Sequence, residues 1–133
     1  MTRVAIVTAS DSGIGKTTAL MLAERGFDIG VTWHSDEKGA LETCREVEAQ
    51  GQRAEAIHLD LSTLPEGAEG IETLIARFGR LDVLVNAAGI LRMGATDQLS
   101  QEDWQQTFAV NVGGAFNLFQ QTMGQFRRQQ GGR

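Results

Sequence analysis

Between an apolar run and a helical pattern, the sequence places Thr8-Ala9-Ser10-Asp11-Ser12-Gly13-Ile14-Gly15. Glycines interleaved with hydroxyl and carboxyl side chains at this spacing suit the binding of phosphate. Gly13 and Gly15 permit backbone conformations and close approaches that a Cβ would block. A helix starting there can present free N–H groups and the positive end of its dipole to a pyrophosphate. The same stretch carries a competing signal. Gly13-Ile14-Gly15-Lys16-Thr17 matches the end of a Walker A loop, in which Lys16 would bind phosphates and the Thr17 hydroxyl would hold Mg²⁺. The leading glycine of that motif should fall at position 10, which is Ser10, so a P-loop NTPase stands as the lesser alternative.

These residues need a frame to hold them, and the composition allows one. The 133 residues are 41% hydrophobic with mixed charge, which predicts one domain with a real core. A net charge of −5, with no basic run, argues against nucleic acid as a partner. Cys44 is the one cysteine, so no disulfide framework or Cys-rich zinc site is expected, and a reducing, cytoplasmic setting is the default. His34 is a poor candidate for a metal ligand, so the expected metal set is none. The chain enters a strand at once without a signal-peptide pattern, and no apolar stretch reaches membrane-spanning length. It contains no tyrosine, and its only lysines are Lys16 and Lys38.

The hydrophobic pattern predicts strands over residues 3–8, 28–33, 53–59 and 81–85. The first and fourth are apolar enough to be buried on both faces. Helices are expected over 13–25, from Ser35 or Asp36 to Gly51, from Thr63 to Gly79, and from Ser100 to about Arg128, with 129–133 loose. Thr63-Leu64-Pro65-Glu66 has the form of a capping box. On the last helix Trp104, Phe108, Ala115 and Leu118 form an apolar stripe that includes Asn111, which predicts an inward-facing, hydrogen-bonded asparagine. Alternating strands and helices predict an α/β, doubly wound parallel sheet with ligand at the carboxyl ends of the strands. A glycine-rich turn after the long helix would ordinarily deliver another strand, so the sheet looks truncated after its fourth strand, with an open edge.

At these landmarks the sequence resembles the short-chain dehydrogenase/reductase family. The family's Thr-Gly-x-x-x-Gly-x-Gly turn corresponds to Thr8, Gly13 and Gly15. Its Asn-Asn-Ala-Gly element corresponds to Asn86-Ala87-Ala88-Gly89, its acidic residue after strand three to Asp60, and its helix-borne catalytic asparagine to Asn111. There are two departures: Ala9 replaces the first glycine and Ala87 the second asparagine. The resemblance covers the whole chain and implies the N-terminal, cofactor-binding half of a Rossmann-type domain.

It implies, further, that Ser10, Asp11 and Ser12 bond the adenosine ribose or phosphates and that Ile14 packs beside the pyrophosphate. The alternative for Asp11 and Ser12 is helix capping. Asp60 would accept from the adenine amino group and Leu61 would flank the ring; capping of the next helix is the alternative for Asp60. Asn86, Ala87, Ala88 and Gly89 would pass beside the ribose, and Asn111 would extend a proton relay through a water. At the end of strand two, where an NAD-preferring site offers an acid, the sequence has Trp33 followed by His34 and Ser35. These two suit a 2′-phosphate better, so the cofactor expectation leans slightly to NADP over NAD. His58 and Cys44 read as structural.

In this family, hydride transfer between nicotinamide and a carbonyl or alcohol needs a serine and a Tyr-x-x-x-Lys beyond the last helix of this chain. The 133 residues are therefore expected to bind cofactor and to be inactive alone. A non-catalytic dinucleotide-binding or interaction module is the alternative from another class. The family implies a homo-oligomer, dimer or tetramer, in which the apolar helix from Trp104 to Phe126 takes part. The substrate pocket lies largely outside these residues, Leu91 to Thr96 supplying one rim.

Overall fold

A computed structural model describes residues 1–133. Four parallel strands, β1 (Arg3–Val7), β2 (Phe27–Trp33), β3 (Ala54–His58) and β4 (Val83–Val85), lie in the order β3-β2-β1-β4. The chain therefore builds outward from β1 in one direction through β2 and β3, then crosses back to place β4 on its other side. The connections that leave the carboxyl ends of β1 and β4 go to opposite faces of the sheet, the switch point at which such sheets leave a crevice. This is a Rossmann-like sheet, and it bears out the doubly wound expectation.

Helices cover both faces. α1 (Gly13–Glu24) and α2 (Glu37–Ala49) lie on one side. α3 (Glu66–Glu69), α4 (Ile71–Phe78), α5 (Gln101–Phe108) and α6 (Gly114–Gln129) lie on the other. The strand period of two divides β1 between them: Ala5 and Val7 join the α1/α2 core, Val4 and Ile6 the α4/α6 core. Gly30 on β2 is needed for this packing, since a Cβ there would come within 2.7 Å of Ile6 Cγ1. Cys44 is buried in the α1/α2 core, and burial pushes its thiol up to about 11, as expected of a packing residue. No helix is long and apolar enough to cross a membrane.

Four expectations need correction. The Thr63–Glu66 capping box does not form. Pro65 holds the cap position with helical backbone angles, whereas a capping side chain needs an extended residue there, and the Gly67 N–H goes to the Thr63 carbonyl at 2.6 Å. The helical stretch is also divided in two at Gly70.

The second correction concerns the last helix, which is continuous from Gln101 to Gln129 but contains a π turn over Ala109–Gly113. Its buried face is Val110, Gly114, Leu118 and Thr122, while Trp104 and Phe108 are exposed and stack on each other at 4.4 Å. Asn111 lies on the exposed side rather than inward. Gly114 decides the face, because it lets the helix close on Leu61 where a Cβ would sit 3.1 Å from that side chain.

Third, residues 129–133 are not loose. Gln129 clamps Leu81 through both its amide atoms, at 2.6 and 2.8 Å. Finally, the outer edge of β4 is not wholly open. Arg133 donates to the Asp82 carbonyl at 3.0 Å and accepts from the Leu84 N–H at 2.8 Å, the bonding of one parallel rung beside Val83.

Candidate dinucleotide-binding site

Thr8 directly follows β1 and is fully buried. Its hydroxyl donates to Asn86 Oδ1 at 3.0 Å and accepts from the N–H groups of Ala87 and Ala88 at 3.0 and 3.1 Å. One donor and two lone pairs are thereby used up. Thr8 is thus the pin that holds the Asn86-Ala87-Ala88 segment after β4 against the turn after β1, and it has no polar capacity left for a ligand.

Ser10 is corrected similarly. Its side chain is buried and donates to the Val7 carbonyl at 2.7 Å, so its hydroxyl points into the protein rather than lining the loop. The turn reverses at Ala9, whose φ of +51° is left-handed. For a residue with a Cβ this costs about 1–2 kcal/mol.

Ser12 occupies the N-cap of α1 with extended backbone angles, yet its hydroxyl makes no cap bond. The first-turn N–H groups and the Ser12 hydroxyl are thus available together, which suits an anion. Gly15 is required for this arrangement because a Cβ there would collide with the Ala9 carbonyl oxygen. Ile14 projects beside it, 83% exposed.

Lys16 does not turn toward this end. Its ammonium lies 2.7 Å from Glu46 on α2, and that hydrogen bond raises its pKa. The lysine of the Walker-like stretch is thus paired with α2.

Asp60, just after β3, accepts from the Ser62 hydroxyl at 2.6 Å and the Ser62 N–H at 2.9 Å, both on Oδ1. These bonds hold its carboxyl below the usual carboxylate range, the hydroxyl contributing most. This bonding closes a local turn and is not the helix cap expected as the alternative, since Pro65 holds the cap position of α3 with no side-chain cap bond; Asp60 Oδ2 has no hydrogen-bond partner in the chain. His34 Nε2 lies 3.6 Å from Asp60 Oδ1, beyond hydrogen-bond range, and His58 Nε2 donates to the His34 carbonyl at 2.8 Å. His58 is thus structural in effect, fastening the end of β3 to the segment after β2.

A cleft of about 450 Å³ opens at this end of the sheet. It gathers Asp11 and Ser12 from the turn after β1, His34 and Ser35 from the segment after β2, Asp60 and Leu61 from that after β3, and Ala88 and Gly89 from that after β4. Thr8, Ser10, Asn86 and Ala87 do not line it, nor do Gly13, Ile14 and Gly15. Asn111 does not line the cleft; it is exposed and bonded to Ile90, a residue that does. Sequence reasoning missed Ile90 as a wall residue, together with Thr32 and Thr43, which brace the turn from β2 and α2. Two threonines in a strand and a helix carry no local sign of such a role.

The family model for short chain dehydrogenases matches residues 3–133. The chain belongs to the short-chain dehydrogenase family. It is 54% identical to the uncharacterized oxidoreductase YohF of Escherichia coli, over all of this chain and 53% of that protein. The crystal structure of acetoin dehydrogenase from Enterobacter cloacae is 70% identical with a TM-score of 0.93, over 97% of this chain and 51% of that one. A short chain dehydrogenase from Burkholderia cenocepacia in complex with NADP is 34% identical with a TM-score of 0.89, over 92% and 50%. The chain thus spans about half the length of the short-chain dehydrogenases it matches.

For a member of this family, the fit of a dinucleotide can be tested on the chain's own atoms. The open cap of α1, the gap that Gly15 preserves above Ala9 and the unpartnered Asp60 Oδ2 suit a pyrophosphate and an adenine amino group.

Proposed function

We propose that these residues form the NAD(P)-binding half of an oxidoreductase acting on a small alcohol or carbonyl compound, with a vicinal hydroxyketone such as acetoin as the substrate class. The observation that carries the reading is the cleft at the β1/β4 switch point, which runs from the open N-terminus of α1 to Asp60. The similarity to acetoin dehydrogenase supports the substrate class.

Bound nicotinamide would supply the hydride chemistry. The first-turn N–H groups of α1 and the Ser12 hydroxyl hold the pyrophosphate, with Ile14 packed beside it. Asp60 accepts from the adenine amino group and Leu61 flanks the ring. Ala88 and Gly89 let the backbone pass beside the ribose. His34 and Ser35, with no acid at Trp33, favour NADP over NAD. Asn111 keeps one Oδ1 lone pair and one Nδ2 hydrogen beyond its two bonds to Ile90, the capacity a water-mediated proton relay requires. The general acid/base is supplied from outside these residues, which contain no tyrosine. The exposed stripe Trp104, Phe108, Val112, Phe116 and Phe119 suits a homo-oligomeric interface.

Calorimetric titration of NADPH and NADH into the longest natural polypeptide carrying these residues tests the reading. Asp60→Ala is expected to weaken both dinucleotides by about tenfold, the loss of one charge-assisted hydrogen bond. His34→Ala is expected to weaken NADPH alone. Binding of neither dinucleotide by the unaltered protein overturns the reading, and oxidation of NADPH or NADH driven by acetoin tests the substrate class.

A further inference from the structure

We propose that Thr32 is a positioning residue for dinucleotide binding, which locks Ala9 in the left-handed conformation that the phosphate turn requires. Thr32 lies at the end of β2, one strand over from the turn, and is 2% exposed. Its Oγ1 accepts from the Ala9 N–H at 3.1 Å, and its carbonyl accepts from the Ser10 N–H, also at 3.1 Å. Both N–H groups flanking the left-handed residue are therefore held by one neighbour. The next carbonyl, that of Ser10, is held from α2, where the buried Thr43 hydroxyl donates to it at 2.8 Å. These bonds fix the Ala9-Ser10 backbone from two elements remote in sequence.

The need for a lock follows from the residue type. Glycine populates positive φ about as readily as negative φ, whereas alanine does so rarely. With φ at +51°, Ala9 keeps its carbonyl in the space that Gly15 leaves open at the start of α1. If Ala9 returned to a negative φ, that carbonyl would swing away and the α1 terminus would lose its shaped floor. Alanine here can hold the turn only with outside help, and Thr32 supplies the acceptor that rewards the left-handed state. Valine at position 32 would keep the shape of the side chain and put a methyl in place of the hydroxyl that accepts from Ala9.

Because this role rests on the dinucleotide reading proposed above, the test needs a readout in each currency. Dissociation constants for NADPH and NADH are measured by calorimetry for the longest natural polypeptide, alongside Thr32→Val, Thr32→Ser, Ala9→Gly and the double variant Ala9→Gly/Thr32→Val. Losing the lock lets Ala9 leave the competent state, so Thr32→Val is expected to weaken both dinucleotides by about tenfold. Thr32→Ser, which keeps the hydroxyl, is expected to bind like the unaltered protein. Glycine holds positive φ unaided, so the double variant should bind within about twofold of Ala9→Gly alone. A double variant as weak as Thr32→Val, or a Thr32→Val that binds normally, overturns the lock.

Failure of the unaltered protein to bind either dinucleotide overturns the dinucleotide reading instead. The lock is then judged by thermal unfolding. Ala9→Gly relieves strain that the lock enforces, so it should raise the melting temperature more with Thr32 present than in the Thr32→Val background. Equal gains overturn the lock.

Discussion

Asn111 and Ile90 exchange two hydrogen bonds: Asn111 Oδ1 accepts from the Ile90 N–H and Asn111 Nδ2 donates to the Ile90 carbonyl, each at 2.8 Å. A side-chain amide here imitates a neighbouring strand and stitches the segment after β4 to the π turn of the last helix. Replacing Asn111 with alanine is expected to cost about 1–2 kcal/mol, the loss of two partly solvated bonds. Asn111→Asp should cost more, because a carboxylate oxygen would face the Ile90 carbonyl. Urea midpoints for the two variants check the order; an alanine variant as stable as the parent would show that the clamp contributes nothing.

Gly13 and Gly15 should respond differently to alanine although they are two residues apart. At Gly13 the backbone is left-handed, with φ +56°, but the space around it is open, so the expected cost is about 1 kcal/mol of strain. At Gly15 the added Cβ meets the Ala9 carbonyl, and the expected cost is about 3 kcal/mol together with loss of dinucleotide binding. Equal melting temperatures for the two variants would contradict this.

The two capping motifs in the sequence separate in the same way. Ser100 accepts from the Asp103 N–H at 3.0 Å and the Asp103 carboxylate reaches back to the Ser100 N–H, a complete capping box at the start of α5. Ser100→Ala should cost about 1 kcal/mol. Thr63 makes no cap bond, and Thr63→Ala should fall within about 0.5 kcal/mol of the parent. Chemical denaturation of both measures the difference.

Asp82 gives the fold an acid limb. It accepts from Arg80 Nη2 and Nε, at 2.6 and 2.8 Å, and from the Val4 N–H at 2.8 Å. The Arg80 bonds, chiefly, hold its carboxyl below the usual carboxylate range. A depressed folded pKa means that the unfolded chain takes up the proton first. The stabilisation is therefore present above the ordinary carboxylate pKa of about 4 and is lost as pH falls below it. Asp82→Asn should lower stability at pH 7 and flatten its decline between about pH 5 and pH 3. Unfolding midpoints across that range provide the measurement, and an unchanged slope would count against Asp82.

What the sequence by itself determined was local. The apolar runs and their change of period set the alternation of strands and helices. Gly26, Gly51 and Gly79 mark helix ends, and each has positive φ. The Thr8 to Gly15 and Asn86 to Gly89 segments were legible as turns at strand ends because small and polar residues follow each apolar run there. What the tertiary structure decided was direction and partnership. The last helix is apolar on more than one side, so its period could not tell the Val110–Leu118 face from the Trp104–Phe108 face; the fit of Gly114 against Leu61 did. Ser10 turned inward to Val7, and Lys16 reached Glu46 across an interhelical gap. Thr32 and Thr43 became braces for Ala9 only because β2 and α2 fold beside the turn. Each of these is a choice among chemically competent partners, and only long-range packing brings one of them within hydrogen-bond reach.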